Sequence, residues 1–296
     1  MEIFLKKITF YIQSMRIYQW IKNFLVFVPM FLANQVNLYN FTSSSITFIS
    51  FSLAASAVYI SNDIFDLEKD RKHPRKKKRV LASRKITITE GYFLLSSLAI
   101  LSLLIGICFS NIKFTILLVC YFLLNFLYSS FFKGLKYTSL ILLSSFYVMR
   151  VISGGFSSNL EISIWLLIFS LSFFFGLASL KRLSEMRILS EEELQNSKRG
   201  FKLQDYDGLK FLSISSSLLG SSVLLIYLFS NQAAKIYENL NLLYFMPVLL
   251  FIWFINLWFA GIKGKIIDDP IIFASRDRKS LFVAFLIFIF FISSII

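Results

Sequence analysis

Histidine is nearly absent from this chain: His73 is the only one among 296 residues. A single imidazole excludes the usual zinc sites and the Ser-His-Asp hydrolases. Cysteine is almost as scarce. Cys108 and Cys120 both lie inside apolar stretches and read as buried small hydrophobes, not as a disulfide or a metal pair. Acidic residues number 17 against 31 Lys and Arg, a net charge of +14. Nucleic-acid binding would need that charge on a folded soluble domain, and no connection between the apolar stretches is long enough to form one. A cleavable signal peptide is also missing from the expectation. Lys6, Lys7, Arg16 and Lys22 are scattered through the N-terminal region, and no small-residue cleavage site follows a compact apolar core.

What the chain has in abundance is apolar residues, 56% of the total, with a mean hydropathy of +0.69. Nine stretches of 17 or more mostly apolar residues are each long enough to cross a bilayer: 20–36, 44–64, 92–110, 114–132, 139–157, 162–180, 209–230, 242–261 and 280–296. The first is the weakest, interrupted by Lys22, Asn23, Pro29 and Asn34. With the N-terminus in the cytoplasm, alternate connections and the span ends beside them collect 28 of the 31 Lys and Arg residues. Lys113 and Lys235 fall on the opposite side, and Arg150 falls inside a span. That asymmetry is the positive-inside pattern. The expected protein is therefore an all-α, polytopic membrane bundle of nine helices, one domain over residues 1–296, with N-terminus and site facing the cytoplasm.

The motif with the most chemistry follows the second stretch. Asp63, Asp66 and Asp70 are spaced three and four apart, so on a helix they share one face. Carboxylates so placed repel one another unless a cation sits among them, and Mg2+ held by carboxylates plus substrate phosphates is the natural occupant. A solvated acidic turn explains Glu68 and Lys69, but not Asn62 and Asp63, which still lie at membrane depth, where carboxylates are costly. Ten Lys or Arg residues lie within 69–85. Lys76, Lys77 and Lys78 read as a patch attracted to anionic headgroups. Arg71, His73 and Arg79, nearer the acidic helix, are candidates for phosphate oxygens.

Other candidates lie farther along. Gln19, Lys22 and Asn23 share a helical face; Lys22 either snorkels to the interface or lines a polar cavity. Arg150 lies deep in the fifth stretch, where a guanidinium needs an anion: an acidic-motif carboxylate, a substrate phosphate or a structural partner. Lys181, Arg182 and Glu185 end the sixth stretch, either as ordinary flanking charge or as a phosphate clamp with a supporting acid. The cytoplasmic connection 181–208 also carries Glu191, Glu192, Glu193, Lys198 and Arg199, and the connection 262–279 carries Asp268, Asp269, Arg276, Asp277 and Arg278. Thirty-five Phe and 13 Tyr supply apolar surface, part of it suited to an isoprenoid chain.

The segment Asn62-Asp63-x-x-Asp66-x-x-x-Asp70-Arg71 resembles the first aspartate-rich motif of the UbiA superfamily of intramembrane prenyltransferases. Further stretches resemble its decaprenyl-phosphate phosphoribosyltransferase branch: Arg16-x-x-Gln19-Trp20-x-Lys22-Asn23, His73-Pro74-x-Lys76-x-x-Arg79, Tyr128-Ser129-x-x-x-Lys133, Phe146-x-x-x-Arg150-x-x-x-Gly154-Gly155, Gly176-x-x-x-x-Lys181-Arg182-x-x-Glu185 and Asp269-Pro270-x-x-Phe273. The resemblance implies a nine-helix bundle and a Mg2+-dependent membrane transferase. Its partners would be an isoprenoid lipid and a diphosphate-bearing co-substrate. It implies that Asp63, Asp66 and Asp70 hold the metal with Asn62 in support, that Lys22, Arg71, Lys181 and Arg182 bind phosphates, and that Tyr128 and Lys133 belong to the substrate site. The alternative within the superfamily is prenyl transfer to an aromatic or other hydrophobic acceptor. A carrier for phosphorylated metabolites fits less well, because acids and bases gather on one side of the chain. Two positions depart from the branch: Ser139 where many relatives carry Asp, and Val80 after Arg79 where they carry Pro.

Overall fold

The computed structural model describes residues 2–73, 75–190, 194, 199–237, 239–267 and 269–294, with residues 2–4 as backbone only. Pro74, Glu191, Glu192, Glu193, Lys198 and Asp268 lie outside the described residues. Every regular element among the described residues is helical. The helices are α1 (Glu2–Met15), α2 (Val28–Leu32), α3 (Leu38–Phe65), α4 (Leu67–Lys72), α5 (Ile88–Phe109), α6 (Ile112–Ser130), α7 (Lys136–Ser157), α8 (Ile164–Ile188), α9 (Tyr206–Leu228), α10 (Asn231–Ile236), α11 (Leu240–Leu243), α12 (Phe245–Ile262), α13 (Pro270–Ala274) and α14 (Arg278–Ser293). Seven stretches among the described residues are long and apolar enough to cross a membrane: 38–65, 88–109, 112–130, 136–157, 164–188, 203–228 and 240–262. The chain is an integral membrane protein.

The expected first and ninth spans take shorter forms. The first is not an α-helix through most of its length: Ile17–Phe27 is an eleven-residue 3-10 helix, continued by α2. Such helices seldom exceed a single turn, because i and i+3 side chains eclipse. Here that eclipsing is used. Gln19 and Lys22 fall on one edge, Asn23 and Val26 on the next, and all four are buried. The ninth span appears as α14, 16 residues long.

The chain forms two compact units. The first comprises Met1–Met30, Val36–Ser130 and Arg150–Leu160. Its axis is α3, most of which is buried, because small residues (Ser50, Ser52, Ala54, Ala55, Ser56, Ala57) allow neighbours to approach closely. Local sequence sets the helix ends. Asn37 caps α3 on the Asn40 amide (2.9 Å), and Thr87 and Glu90 form a reciprocal capping box at the start of α5. Glu90 also receives Lys7 and the Tyr11 hydroxyl, docking α1 on the same helix end.

The second unit comprises Phe31–Gln35, Phe131–Met149 and Glu161–Ile296. Its α8 and α9 lie against each other along their length, with Gly176 over Ser217 and Gly220 over Phe173. Trp258 of α12 donates to the Ser213 hydroxyl of α9 at 3.1 Å. Cys108 and Cys120 are exposed, not buried as expected from their apolar neighbours. On a membrane helix the outward face meets lipid, so a small apolar side chain gains nothing by turning inward.

Candidate functional site

The helix carrying the acidic motif is not continuous. α3 ends at Phe65, Asp66 forms the joint, and α4 resumes at Leu67. The hydrogen bonds from Asp66 N to Asn62 O and from Asp70 N to Asp66 O bridge the joint, so Asp63 and Asp70 still face the same way. Both are buried, 7% and 2% exposed. Asp63 Oδ1 accepts from Arg16 Nη2 at 2.5 Å and from Arg79 Nη1 at 3.0 Å, while Asp70 Oδ2 accepts from the same Arg79 Nη1 at 2.6 Å. Two carboxylates therefore converge on one cationic nitrogen. Burial pushes the Asp70 carboxyl above its ordinary value, against the pull of the Arg79 guanidinium.

Asp66, at the joint, has Lys69 Nζ at 3.9 Å. Among the described residues no three His, Cys, Asp or Glu side chains gather as a metal cluster. Of the three aspartates expected at a metal, Asp63 and Asp70 share a partner, Arg79. A pair fits a hard divalent ion that takes its remaining ligands from water and substrate phosphate. Asn62 accepts from the Ser129 hydroxyl of α6, which fixes the side chain just before the motif.

The neighbouring candidates divide. Arg71 pairs at 2.9 Å with Glu68, itself 79% exposed, so this pair lies on the surface and contributes little. His73 ends α4 and its Nδ1 accepts from the backbone amides of Arg75 and Lys76 (3.2 and 3.3 Å), shaping the basic turn. Within the basic run, Arg79 hydrogen-bonds both carboxylates, and Lys76 adds its positive charge beside Asp70.

Deeper in the first unit, Arg150 is 4% exposed. Its Nε donates to Asn23 Oδ1 at 2.7 Å, and its guanidinium lies over the rings of Phe51 (5.1 Å) and Tyr121 (5.7 Å). Asn23 in turn donates to Ser52 Oγ at 2.8 Å. A carboxamide and two π-faces are thus among the partners of this guanidinium, in keeping with the structural partner weighed for it. One turn on, Gly154 meets the 3-10 helix so closely that a Cβ would lie 1.8 Å from the Val26 carbonyl oxygen. Arg150 and Gly154, four apart on α7, thus meet Asn23 and Val26, three apart on the 3-10 helix. Lys22 is buried on the adjacent edge, and Tyr128 is buried on α6.

The second unit holds its own polar cluster at the end of α8. Arg182, 2% exposed, donates to Glu185 Oε2 at 2.6 Å, and Arg199 Nη1 reaches the same oxygen at 3.6 Å. Lys181 Nζ lies 3.6 Å from Asp269 Oδ2. Asp269 is buried, caps α13 at the Ile271 amide (3.1 Å), and receives the Tyr147 hydroxyl at 3.1 and 3.2 Å. The Tyr147 ring stacks on Phe174 of α8 at 4.7 Å. Phe174 and Lys181 are two turns apart on one helix face, so Tyr147 and Asp269 together brace that face. Lys133 sits half-buried in the short 3-10 turn Phe132–Gly134, and Ser139 is fully buried with its hydroxyl on the Lys136 carbonyl (2.7 Å).

Four contributors escaped the sequence reading of the site: Arg16, Ser129, Tyr147 and Arg199. Arg16 carried a legible signal, standing just ahead of Gln19 and Lys22 in the quoted motif. Tyr147 carried none beyond lying one turn before Arg150.

The comparisons agree with this architecture. The profile of the UbiA prenyltransferase family matches residues 23–263. The chain is 31% identical over 281 residues to the uncharacterized protein y4nM of Sinorhizobium fredii, covering 94% of this chain and 54% of that protein, about half its length. It is 27% identical over 289 residues to the decaprenyl-phosphate phosphoribosyltransferase of Mycolicibacterium smegmatis, covering 93% of this chain and 89% of that enzyme. A UbiA homologue from Archaeoglobus fulgidus, solved bound to GPP and Mg2+, matches with a TM-score of 0.70 over 97% of this chain and 99% of that chain; at 13% identity that likeness is one of fold. With a profile match running from the 3-10 helix to the end of α12, the chain belongs to the UbiA prenyltransferase family.

Proposed function

We propose that the protein is a membrane transferase that moves phosphoribose from phosphoribosyl pyrophosphate to a polyprenyl phosphate, releasing pyrophosphate. The observation that carries the reading is the similarity to the mycobacterial phosphoribosyltransferase over 93% of this chain. The convergence of Asp63 and Asp70 on one cationic position supports it. In the transfer, the bond from ribose C1 to the pyrophosphate oxygen breaks and that oxygen keeps the electron pair. A lipid phosphate oxygen forms the new bond to C1. The attacking oxygen is already anionic, so no general base is required, which suits a chain with one histidine.

The residues divide the work by charge. Asp63 and Asp70 would hold Mg2+, which supplies charge neutralisation for the departing pyrophosphate. Lys181, Arg182 and Arg199 bind phosphate oxygens, with Glu185 and Asp269 fixing where their cationic ends lie. Asn23 and Arg150 brace the wall of the first unit. The active side faces the cytoplasm, in line with the basic connections.

Incubating the purified protein with labelled phosphoribosyl pyrophosphate and a polyprenyl phosphate tests the reading, and labelled lipid is the expected product. If no labelled lipid forms while a prenyl diphosphate is consumed with an aromatic acceptor, the protein is a prenyltransferase of the more familiar kind.

A further inference from the structure

The two guanidinium groups on the acidic motif are held very differently. Arg16 is 18% exposed at its side chain, lies over the Tyr59 ring at 5.4 Å, and sits in a left-handed turn (φ 52°, ψ 50°) between α1 and the 3-10 helix. Its place is fixed by backbone and ring together. Arg79 is 29% exposed and follows the short 3-10 turn Lys76–Lys78, anchored there by its amide on the Lys76 carbonyl (2.9 Å). Its side chain enters from the open side, and a single nitrogen spans Asp63 and Asp70.

We infer that Arg79 is a displaceable internal cation that occupies the metal position until a divalent ion and a diphosphate arrive together. With both arginines in place, each of the two buried carboxylates is paired with a guanidinium group. A divalent ion needs the same two oxygens that Arg79 bridges, so its entry expels the guanidinium. The expelled group is a planar fork suited to phosphate oxygens, and a diphosphate beside the metal offers them. Metal alone must break favourable contacts without replacing them; metal with diphosphate gives Arg79 a new partner. Metal and diphosphate therefore raise each other's affinity by the same factor. This inference rests on the proposed metal role of Asp63 and Asp70, and it is indifferent to which group is transferred.

The test is Mn2+ binding to the full chain in detergent, followed by electron paramagnetic resonance, with no substrate present. Arg79→Gln is expected to bind Mn2+ at least about tenfold tighter than the parent, since apparent affinity is reduced by the fraction of molecules in which the site is blocked. Lys78→Gln removes the same charge from an exposed neighbour and is expected to change affinity by less than about twofold, because solvent screens it. Arg79→Lys, which keeps the charge but loses the fork, is expected to fall between the parent and Arg79→Gln, and it serves if the glutamine variant does not fold. Adding inorganic pyrophosphate is expected to tighten Mn2+ binding strongly in the parent and only weakly in Arg79→Gln. Equal or weaker Mn2+ binding by the Arg79 variants, or equal tightening by Lys78→Gln, overturns the inference. Unchanged Mn2+ binding in Asp63→Asn and Asp70→Asn strikes instead at the metal role of the carboxylates, a separable failure.

Discussion

The two polar clusters are inverse arrangements. In the first unit one guanidinium, Arg79, is shared by two carboxylates, Asp63 and Asp70. In the second, one carboxylate, Glu185, is shared by two guanidinium groups, Arg182 and Arg199. A shared ion can be replaced by a competitor of its own sign, a cation in place of Arg79 in the first arrangement and an anion in place of Glu185 in the second. Neither cluster required an unusual residue; the ratio of acid to base decides its preference.

Breaking the first arrangement is expected to have the largest effect. Asp63→Asn removes the negative charge that both Arg16 and Arg79 engage, and transfer should fall about a thousandfold or more in a single-turnover assay, the several kcal/mol a catalytic metal supplies. Retention of activity within tenfold would remove Asp63 from the chemistry. Next come the packing contacts that hold each unit. Gly154→Ala drives a Cβ into a backbone carbonyl that cannot move aside, whereas the alanine in Gly176→Ala meets mainly the Ser217 hydroxyl, 2.1 Å away. The first should cost about 3 kcal/mol or more and the second about 1 to 2 kcal/mol, measured by thermal unfolding in detergent. The reverse order would mean that the contact of α7 with the 3-10 helix is looser than its geometry.

Glu185→Gln sharpens the comparison from the other side. Releasing Arg182 and Arg199 from a shared acid should tighten binding of inorganic pyrophosphate about fivefold, the worth of a partly exposed ion pair. Weaker binding would show that Glu185 aims the arginines and does not restrain them. The smallest effect belongs to the surface. Glu68→Gln removes the partner of Arg71 at an exposed position and should shift stability by less than about 0.5 kcal/mol, with transfer unchanged.

Much of this was legible in the residues. Spans two to eight follow from runs of apolar residues, and the spacing of Asp63 and Asp70 placed them on one side despite the joint at Asp66. Arg150 was legible as a buried charge because little else at that depth is polar. Its partner was not, because Asn23 lies 127 residues away and nothing local announces the pairing. The same holds for Tyr147 with Asp269, 122 residues apart, and for Ser129 with Asn62, 67 apart. Contacts of that kind are made by tertiary packing, which periodicity does not encode. The 3-10 form of residues 17–27 was hidden for another reason: a buried pattern of 19, 22, 23 and 26 satisfies three-residue and 3.6-residue periods equally well.

That segment also solves a problem of length. Ile17–Leu32 has 16 residues, which as an ordinary α-helix would extend only about 24 Å, short of a hydrocarbon core about 30 Å thick. Drawn out at about 2 Å per residue over its first eleven residues, the same peptide extends about 29 Å. The segment gains length there by stretching its coil, without adding a residue. Relaxing that coil to the common pitch would pull one end of the wall inward by roughly one helical turn.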